Sequence, residues 1–271
     1  MTGTPRPDAA QTYSSYLRVG ELLSLQRPTS DGPGGPEHDE MLFIIIHQVY
    51  ELWFKQMLHE LDYVTGRMVV GDTPRVRHTM SRVLHILKVC VAQLDILETM
   101  TPLEFLSFRE RLESASGFQS FQFREFEFVL GGKRASVIDN FPEGSEGHTR
   151  LSRRLGEATL WDAFLAYLAQ RGAAIPEDLL DRDTSQPCPE SEAVQRALVQ
   201  VYRSDPVTAS VCELMVDLDE GVQEWRYRHV KMVERTLGSK RGTGGSSGVD
   251  YLRSTLFHAA FPDLWAIRAH L

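Results

Sequence analysis

Cysteine is scarce in this chain: three in 271 residues, at Cys90, Cys188 and Cys212, far apart and odd in number. A disulfide scaffold is thereby excluded, and a reducing, cytoplasmic setting is expected. Long apolar runs are missing as well. The most apolar one, Met41 to Ile46, falls far short of the ~20 residues that span a bilayer. The N-terminal stretch MTGTPRPDAAQTYSSY has no apolar segment of the secretory-leader kind, so no membrane association is expected. Positive charge is in deficit, with 29 basic residues against 37 acidic ones and a formal net charge of −8. That balance gives no electrostatic reason to bind nucleic acid. The motifs HExxH, paired CxxC, CxxCH and GxxxxGK[ST] are all absent. None of the nine histidines has a carboxylate three residues before it, which excludes the Glu-x-x-His pairs of di-iron bundles. A metal, if bound, is expected on one histidine carrying a prosthetic group rather than in a cage of side chains.

Helical periodicity fills much of what remains. From Asp39 to about Val64, the residues Phe43, Ile46/His47, Tyr50, Phe54, Met57/Leu58 and Leu61 recur every three to four positions. A second helix follows Pro74 through Val76, Met80, Val83/Leu84, Leu87 and Leu94 to Thr99. Thr101-Pro102 then reads as a fresh N-cap with proline in the first turn. Further helices are expected over about Ser191 to Arg203 and about Ala209 to Leu237, the last closed by Gly238. GFQSFQFREFEFVL, residues 117–130, partly alternates like a strand, but its helical neighbours favour a helix. Loops are expected at Thr29–Pro36, Asn140–Gly147, Asp181–Pro189 and Gly238–Gly248. No repeat or linker divides the chain, so residues 1–271 read as a single all-α domain with a mobile N-terminal arm at about 1–20.

Several residues stand out chemically. His47 lies one turn after Phe43 within the apolar stretch LFIIIHQVYELW. It is either a core histidine satisfied by a carbonyl or a neutral imidazole that takes a proton or hydrogen bond from a ligand. His229 sits in EWRYRHVKMVER among Arg226, Arg228, Lys231 and Arg235. Those cations are expected to disfavour its protonation, leaving the metal-binding form, and to suit an anionic cofactor; a solvated basic stripe is the plainer alternative. Phe105 and Arg109 pair a ring with a guanidinium one turn later, the combination that packs an apolar body and grips a carboxylate. A surface arginine paired with Glu113 is its bland counterpart. KRGTGGSSG, residues 240–248, lacks the order of a phosphate loop yet offers Thr243, Ser246 and backbone N–H donors to a ligand, if it is more than a surface linker.

Taken together, HDEMLFIIIHQVYELWFKQMLHEL, TPLEFLSFRERL with SASGFQSFQFREFEF, WRYRHVKMVERTLGSKRGTGGSSGV and the terminal FPDLWAIR resemble the tryptophan 2,3-dioxygenase family, from Tyr13 to Arg268. The resemblance implies an all-α helical bundle around one b-type haem (heme b, iron protoporphyrin IX) per subunit of a homotetramer. It implies His229 as the iron ligand, with Ser116 and Gly117 beside the haem and dioxygen. It further implies His47 as the partner of the indole N–H, Phe43 and Phe105 as its packing surface, Arg109 as the carboxylate clamp and Thr243 as a contact of the amino-acid end. Tyr13 and Tyr16 match an arm that enters a neighbouring subunit's site. The implied activity is oxygenation of the indole C2–C3 bond of L-tryptophan by dioxygen to an N-formylkynurenine. Two departures bear on the substrate: Val49-Tyr50 stands where the family has Thr-Ser, and Ser239 where it has an aromatic. They leave room for a β-substituted tryptophan, for one-oxygen insertion to a 2-oxindole, or for a haem sensor without turnover.

Overall fold

A helix leaves its first N–H groups without partners, and here the residue before most long helices supplies one. The computed structural model describes residues 11–113, 115–238, 240 and 248–271. In chain order the helices are α1 (Tyr13–Leu17), α2 (Val19–Leu22), α3 (His38–Val69), α4 (Thr73–Leu97), α5 (Pro102–Arg109), α6 (Phe121–Val129) and α7 (Glu146–Gly156). They continue as α8 (Leu160–Gln170), α9 (Glu177–Leu180), α10 (Glu192–Ser204), α11 (Pro206–Leu237), α12 (Val249–Ser254) and α13 (Pro262–Ala266). Asp72 caps α4 and Asp205 caps α11, each followed by proline in the first turn. Thr101 caps α5 as expected, and Glu104 completes a reciprocal capping box with it. Among the described residues no strand occurs; a lone bridge between Gly32 and Gly35 closes a turn. The fold class is all-α, as expected.

The long helices α3, α4 and α11 pack side by side, with α4 in the middle. Gly221 makes the closest approach possible, since a Cβ there would lie 2.7 Å from Leu87 Cδ2. Helix α8 covers α3 from one side, α6 packs on α3 and α7, and α5 touches the ends of α3 and α11. The shared core runs from Met57, Leu61 and Met80 to Phe164, Met215 and Phe261, all fully buried. None of the described helices is long and apolar enough to cross a membrane.

Several expectations need adjustment. The 117–130 segment is a short 3-10 turn, Gly117–Gln119, followed by α6 rather than one continuous helix, because Ser120 re-caps the chain through Phe123 N–H. Helix α11 begins three residues before Ala209, at Pro206, where Asp205 accepts from Val207 and Thr208 N–H. Helices α7 and α8 were not foreseen. The first, EGHTRLSRRLG, has few apolar positions, and the second, LWDAFLAYLAQ, is buried nearly all round and so lacks a polar stripe. The arm from Thr12 onward forms α1 and α2, which bury no residue against their own chain; residues 1–10 lie outside the described part.

Two buried carboxylates fasten the ends of the chain. Glu40 accepts from the N–H and hydroxyl groups of both Thr29 and Ser30. Asp219 accepts from Phe261 N–H at 3.0 Å, the Trp265 indole at 2.9 Å and Gln223. Asp219→Ala leaves a buried backbone donor unpaired and is expected to cost about 1–3 kcal/mol in urea unfolding. Exposed Asp217→Ala should stay within about 0.5 kcal/mol. Equal effects from the two would contradict the role given to Asp219.

Candidate active site

Helices α3, α5, α6, α11 and α12 converge on a cavity of about 270 Å³. From α3 it takes Phe43, His47, Tyr50 and Phe54, spaced three to four residues apart and therefore on one face. From α11 it takes Trp225, Arg226 and His229, with the apolar Val230, Met232, Val233 and Leu237 beyond them. A second cleft of about 460 Å³ lies by α10, but its Arg171 is already bound to Asp205 and Thr208 and it holds no histidine. The chemistry belongs to the first.

The His47 ring is open to the cavity and packed by protein on its other sides. Its Nδ1 lies 2.7 Å from the Phe43 carbonyl. A carbonyl only accepts, so Nδ1 carries the proton and Nε2 keeps its lone pair. Burial lowers the His47 pKa, opposed by the Phe43 carbonyl and by Glu51. His229 is lowered to about 4, chiefly by desolvation and secondarily by its proximity to His47. The two imidazoles thus share one apolar space and both are neutral at pH 7. Trp225, one turn before His229, stacks on it with planes 7° apart and centroids at 5.1 Å.

The basic residues around His229 do not act as their sequence suggests. Arg228 pairs with Asp95 and Glu98, Arg235 with Glu98, and Lys231 with Glu234. Only Arg226 of that group lines the cavity. Desolvation, not repulsion from these cations, keeps the His229 ring neutral.

Phe43, His47, Phe105, Ser116, Gly117 and His229 all line the cavity. Phe43 and Phe105 face each other at 5.8 Å, wedged by Phe108 at 5.5 Å from each. Ser116 caps the 3-10 turn through Phe118 N–H. Arg109 ends α5 one turn after Phe105, part-buried, and is not among the residues lining the cavity. Tyr13 and Tyr16, on α1, are 77% and 68% exposed and lie apart from the cavity lining. Thr243, Ser246 and Ser239 fall outside the described residues. Tyr50 does line the cavity, but its hydroxyl donates to the Cys90 carbonyl at 2.7 Å and its ring lies against Phe54 and Trp225. The Val49-Tyr50 departure therefore sits toward the Trp225–His229 wall.

Other residues of the wall escaped the sequence reading. Glu127 accepts from Arg124 at 2.7 Å, Arg226 at 2.9 Å and Arg134 at 3.2 Å, so three cations surround one anion. Arg124, Glu127 and Arg226 all line the cavity. The Arg124–Glu127 spacing of three was a local signal for a helical ion pair. Arg226 stood out beside His229, but its tie to Glu127, 99 residues away, had no local signal. Phe118, Phe123 and Tyr251 complete the aromatic lining. Among the described residues, no three His, Cys, Asp or Glu side chains gather as a metal cage.

The chain is similar to known proteins over almost its whole length. A family described as tryptophan 2,3-dioxygenase matches residues 2–173 and 180–271. A tryptophan 2,3-dioxygenase of Herpetosiphon aurantiacus is 58% identical over 262 residues, covering 97% of this chain and 99% of that protein. One from an Anaeromyxobacter strain is 54% identical with both chains fully covered, and one from Caulobacter vibrioides is 43% identical over 96% of this chain and 98% of that protein.

The desolvated His229 imidazole carries a pH signature. An unfolded histidine titrates near 6.5, whereas His229 in the fold titrates at about 4. The unfolded chain therefore binds more protons between those values, and stability falls as pH drops from 6.5 toward 4, then levels off below. The slope is at most about 1.4 kcal/mol per pH unit for each such histidine. In haem-free protein, His229→Phe should flatten the pH dependence of the urea midpoint over that window. An unchanged slope would place the titration elsewhere.

Proposed function

The chain belongs to the tryptophan 2,3-dioxygenase family of haem-dependent dioxygenases and is an enzyme that oxygenates the indole ring of tryptophan; from that premise we propose how its own residues serve the reaction. His229 holds the iron of a b-type haem, and the indole of L-tryptophan packs against the joined Phe43 and Phe105 rings with its N–H on His47 Nε2. Both atoms of dioxygen enter at C2–C3 and the product is an N-formylkynurenine. The observation that carries this reading is the pair of neutral imidazoles in one apolar cavity, one of them locked by Phe43 as a hydrogen-bond acceptor.

The residues present fit the prosthetic group. A neutral imidazole is the ligand form that iron requires. The apolar wall of Phe54, Leu94, Leu97, Phe123 and Val230 suits a large flat ring, and the guanidinium groups of Arg124 and Arg226 on the same wall suit its carboxylates. When bound, haem iron supplies the activation and transfer of dioxygen. Two-oxygen insertion balances without outside electrons, which favours it over a one-oxygen outcome.

The protein's task is then positioning. His47 Nε2 receives the indole N–H, and the aromatic wall excludes water. Arg109 takes the substrate carboxylate and Thr243 the amino-acid end, with Ser116 and Gly117 beside the haem. The hydroxyl of Tyr50 is already bound to Cys90, so the departure at that position gives no reason to assign a modified tryptophan. We further propose a single haem-binding domain that assembles as a cytoplasmic homotetramer, in which Tyr13 and Tyr16 reach a neighbouring site. In support, Tyr13, Tyr16, Leu17 and Leu23 stand exposed on helices that bury nothing of their own chain. The described cysteines are all unpaired with one another, as a reducing compartment requires.

His229→Ala should lose haem or hold it weakly, read as the haem-to-protein ratio and the ferrous spectrum after reconstitution. Full loading with an unchanged spectrum would overturn the assignment. Arg109→Ala removes a charge-assisted contact of about 1.5–3 kcal/mol, so tryptophan affinity should fall roughly ten- to a hundredfold with haem retained. Tryptamine, which lacks the carboxylate, should bind the parent protein about as weakly; equal binding of tryptamine and tryptophan would rule out the clamp.

A further inference from the structure

Helix α12 gives the cavity Tyr251 and Leu252, with Thr255 just beyond its end, yet it has only six residues and buries only Val249. So short a helix has little stability of its own, and its hold on the body must come from tertiary contacts. Tyr251 meets Phe118 edge-on at 5.1 Å, and Arg253 pairs with Glu234 at the outer face. Two further ties share one design. Arg134 places Nη2 on Glu127 Oε2 and Nη1 on the Tyr251 hydroxyl, both at 3.2 Å. Arg226 places Nη2 on Glu127 Oε1 at 2.9 Å and Nη1 on the Thr255 carbonyl at 3.2 Å. Each guanidinium is a fork with one prong on Glu127 and the other on the α12 segment.

We propose that Glu127 is a positioning residue that clamps α12 as a wall of the cavity, acting through the two forked arginines Arg134 and Arg226. The carboxylate is buried and sits on α6, which packs on α3. Arg124, held by the same carboxylate and laid over Phe118 and Phe123, completes the block against which Tyr251 rests. A carboxylate accepting three guanidinium bonds has its oxygens largely committed, which fixes the direction of each fork. Without the charge on Glu127, three arginines would repel one another at the cavity wall, and the prongs on Tyr251 and Thr255 would lose their aim. Retention of the prosthetic group rests on the haem reading above; the clamp on α12 does not.

The test is hydrogen exchange of residues 249–256 in Glu127→Gln, which keeps the shape and removes the charge. In both haem-free and haem-loaded protein, exchange there should quicken about tenfold, the worth of one charge-assisted hydrogen bond, with α3, α4 and α11 unchanged. Tyr251→Phe should give a smaller acceleration alone and add nothing to Glu127→Gln, because the Arg134 fork is already lost. Release of haem to apomyoglobin should quicken about as much as exchange does. Unchanged exchange at 249–256, or effects of Glu127→Gln and Tyr251→Phe that multiply, would overturn the clamp. Faster exchange with unaltered haem release would keep the clamp and remove haem from its neighbourhood. Should Glu127→Gln fail to fold, Arg134→Gln and Tyr251→Phe carry the test: each should accelerate exchange, and Tyr251→Phe should add nothing to Arg134→Gln.

Discussion

Two imidazoles that face one apolar cavity are both held neutral, and the rest of the site follows from that constraint. Desolvation holds His229 neutral, with His47 nearby adding to the effect. A neutral ring is a ligand or an acceptor, never a cation competing for the substrate's carboxylate. The Phe43 carbonyl then settles which nitrogen of His47 is the acceptor. A helix thus gives a backbone carbonyl and, four residues later, the imidazole that it orients. Trp225 and His229 repeat the device on α11, with a stacked ring in place of the carbonyl.

Charge is kept to the edge of this space and bound tightly there. Glu127 gathers three arginines, two of which also reach the α12 segment. An isolated cation at this depth would be costly, and the shared carboxylate offsets much of that cost. Buried carboxylates recur wherever a peripheral segment must be held. Glu40 ties the 29–30 turn to α3, and Asp219 ties the C-terminal segment to α11. Apolar packing makes the three-helix centre, and buried anions attach the pieces around it.

What could be read from the sequence was what depends on local periodicity. Phe43, His47, Tyr50 and Phe54 share a helical face whether or not the fold is known, and Thr101–Glu104 is a capping box by spacing alone. Helix α8 was invisible for the opposite reason: buried nearly all round, it carries no stripe. The Glu127 cluster joins residues 124, 127, 134 and 226, and no local pattern reports a contact across 99 positions. The cations near His229 misled because a helix turns 100° per residue. Neighbours at one, two and six positions away face α4 or solvent rather than the ring. The motif resemblance offered what periodicity could not: the implied places of Ser116 and Gly117 beside a haem, which no helical spacing marks.

The exposed arm completes the physical argument. Tyr13 and Tyr16 on α1, and Leu23 just after α2, are each at least two-thirds exposed, and neither helix has a buried residue. Fully covering a side chain of that size is worth about 1.5–3 kcal/mol. The arm is nevertheless tethered: Gln26 donates to Gln48 at 2.6 Å, and Gln48 returns a bond to the Leu25 carbonyl. Gln48 follows His47 directly in α3, so the arm's base is fixed to the helix that lines the cavity. A neighbour that covered α1 and α2 would therefore press on an element already joined to the site.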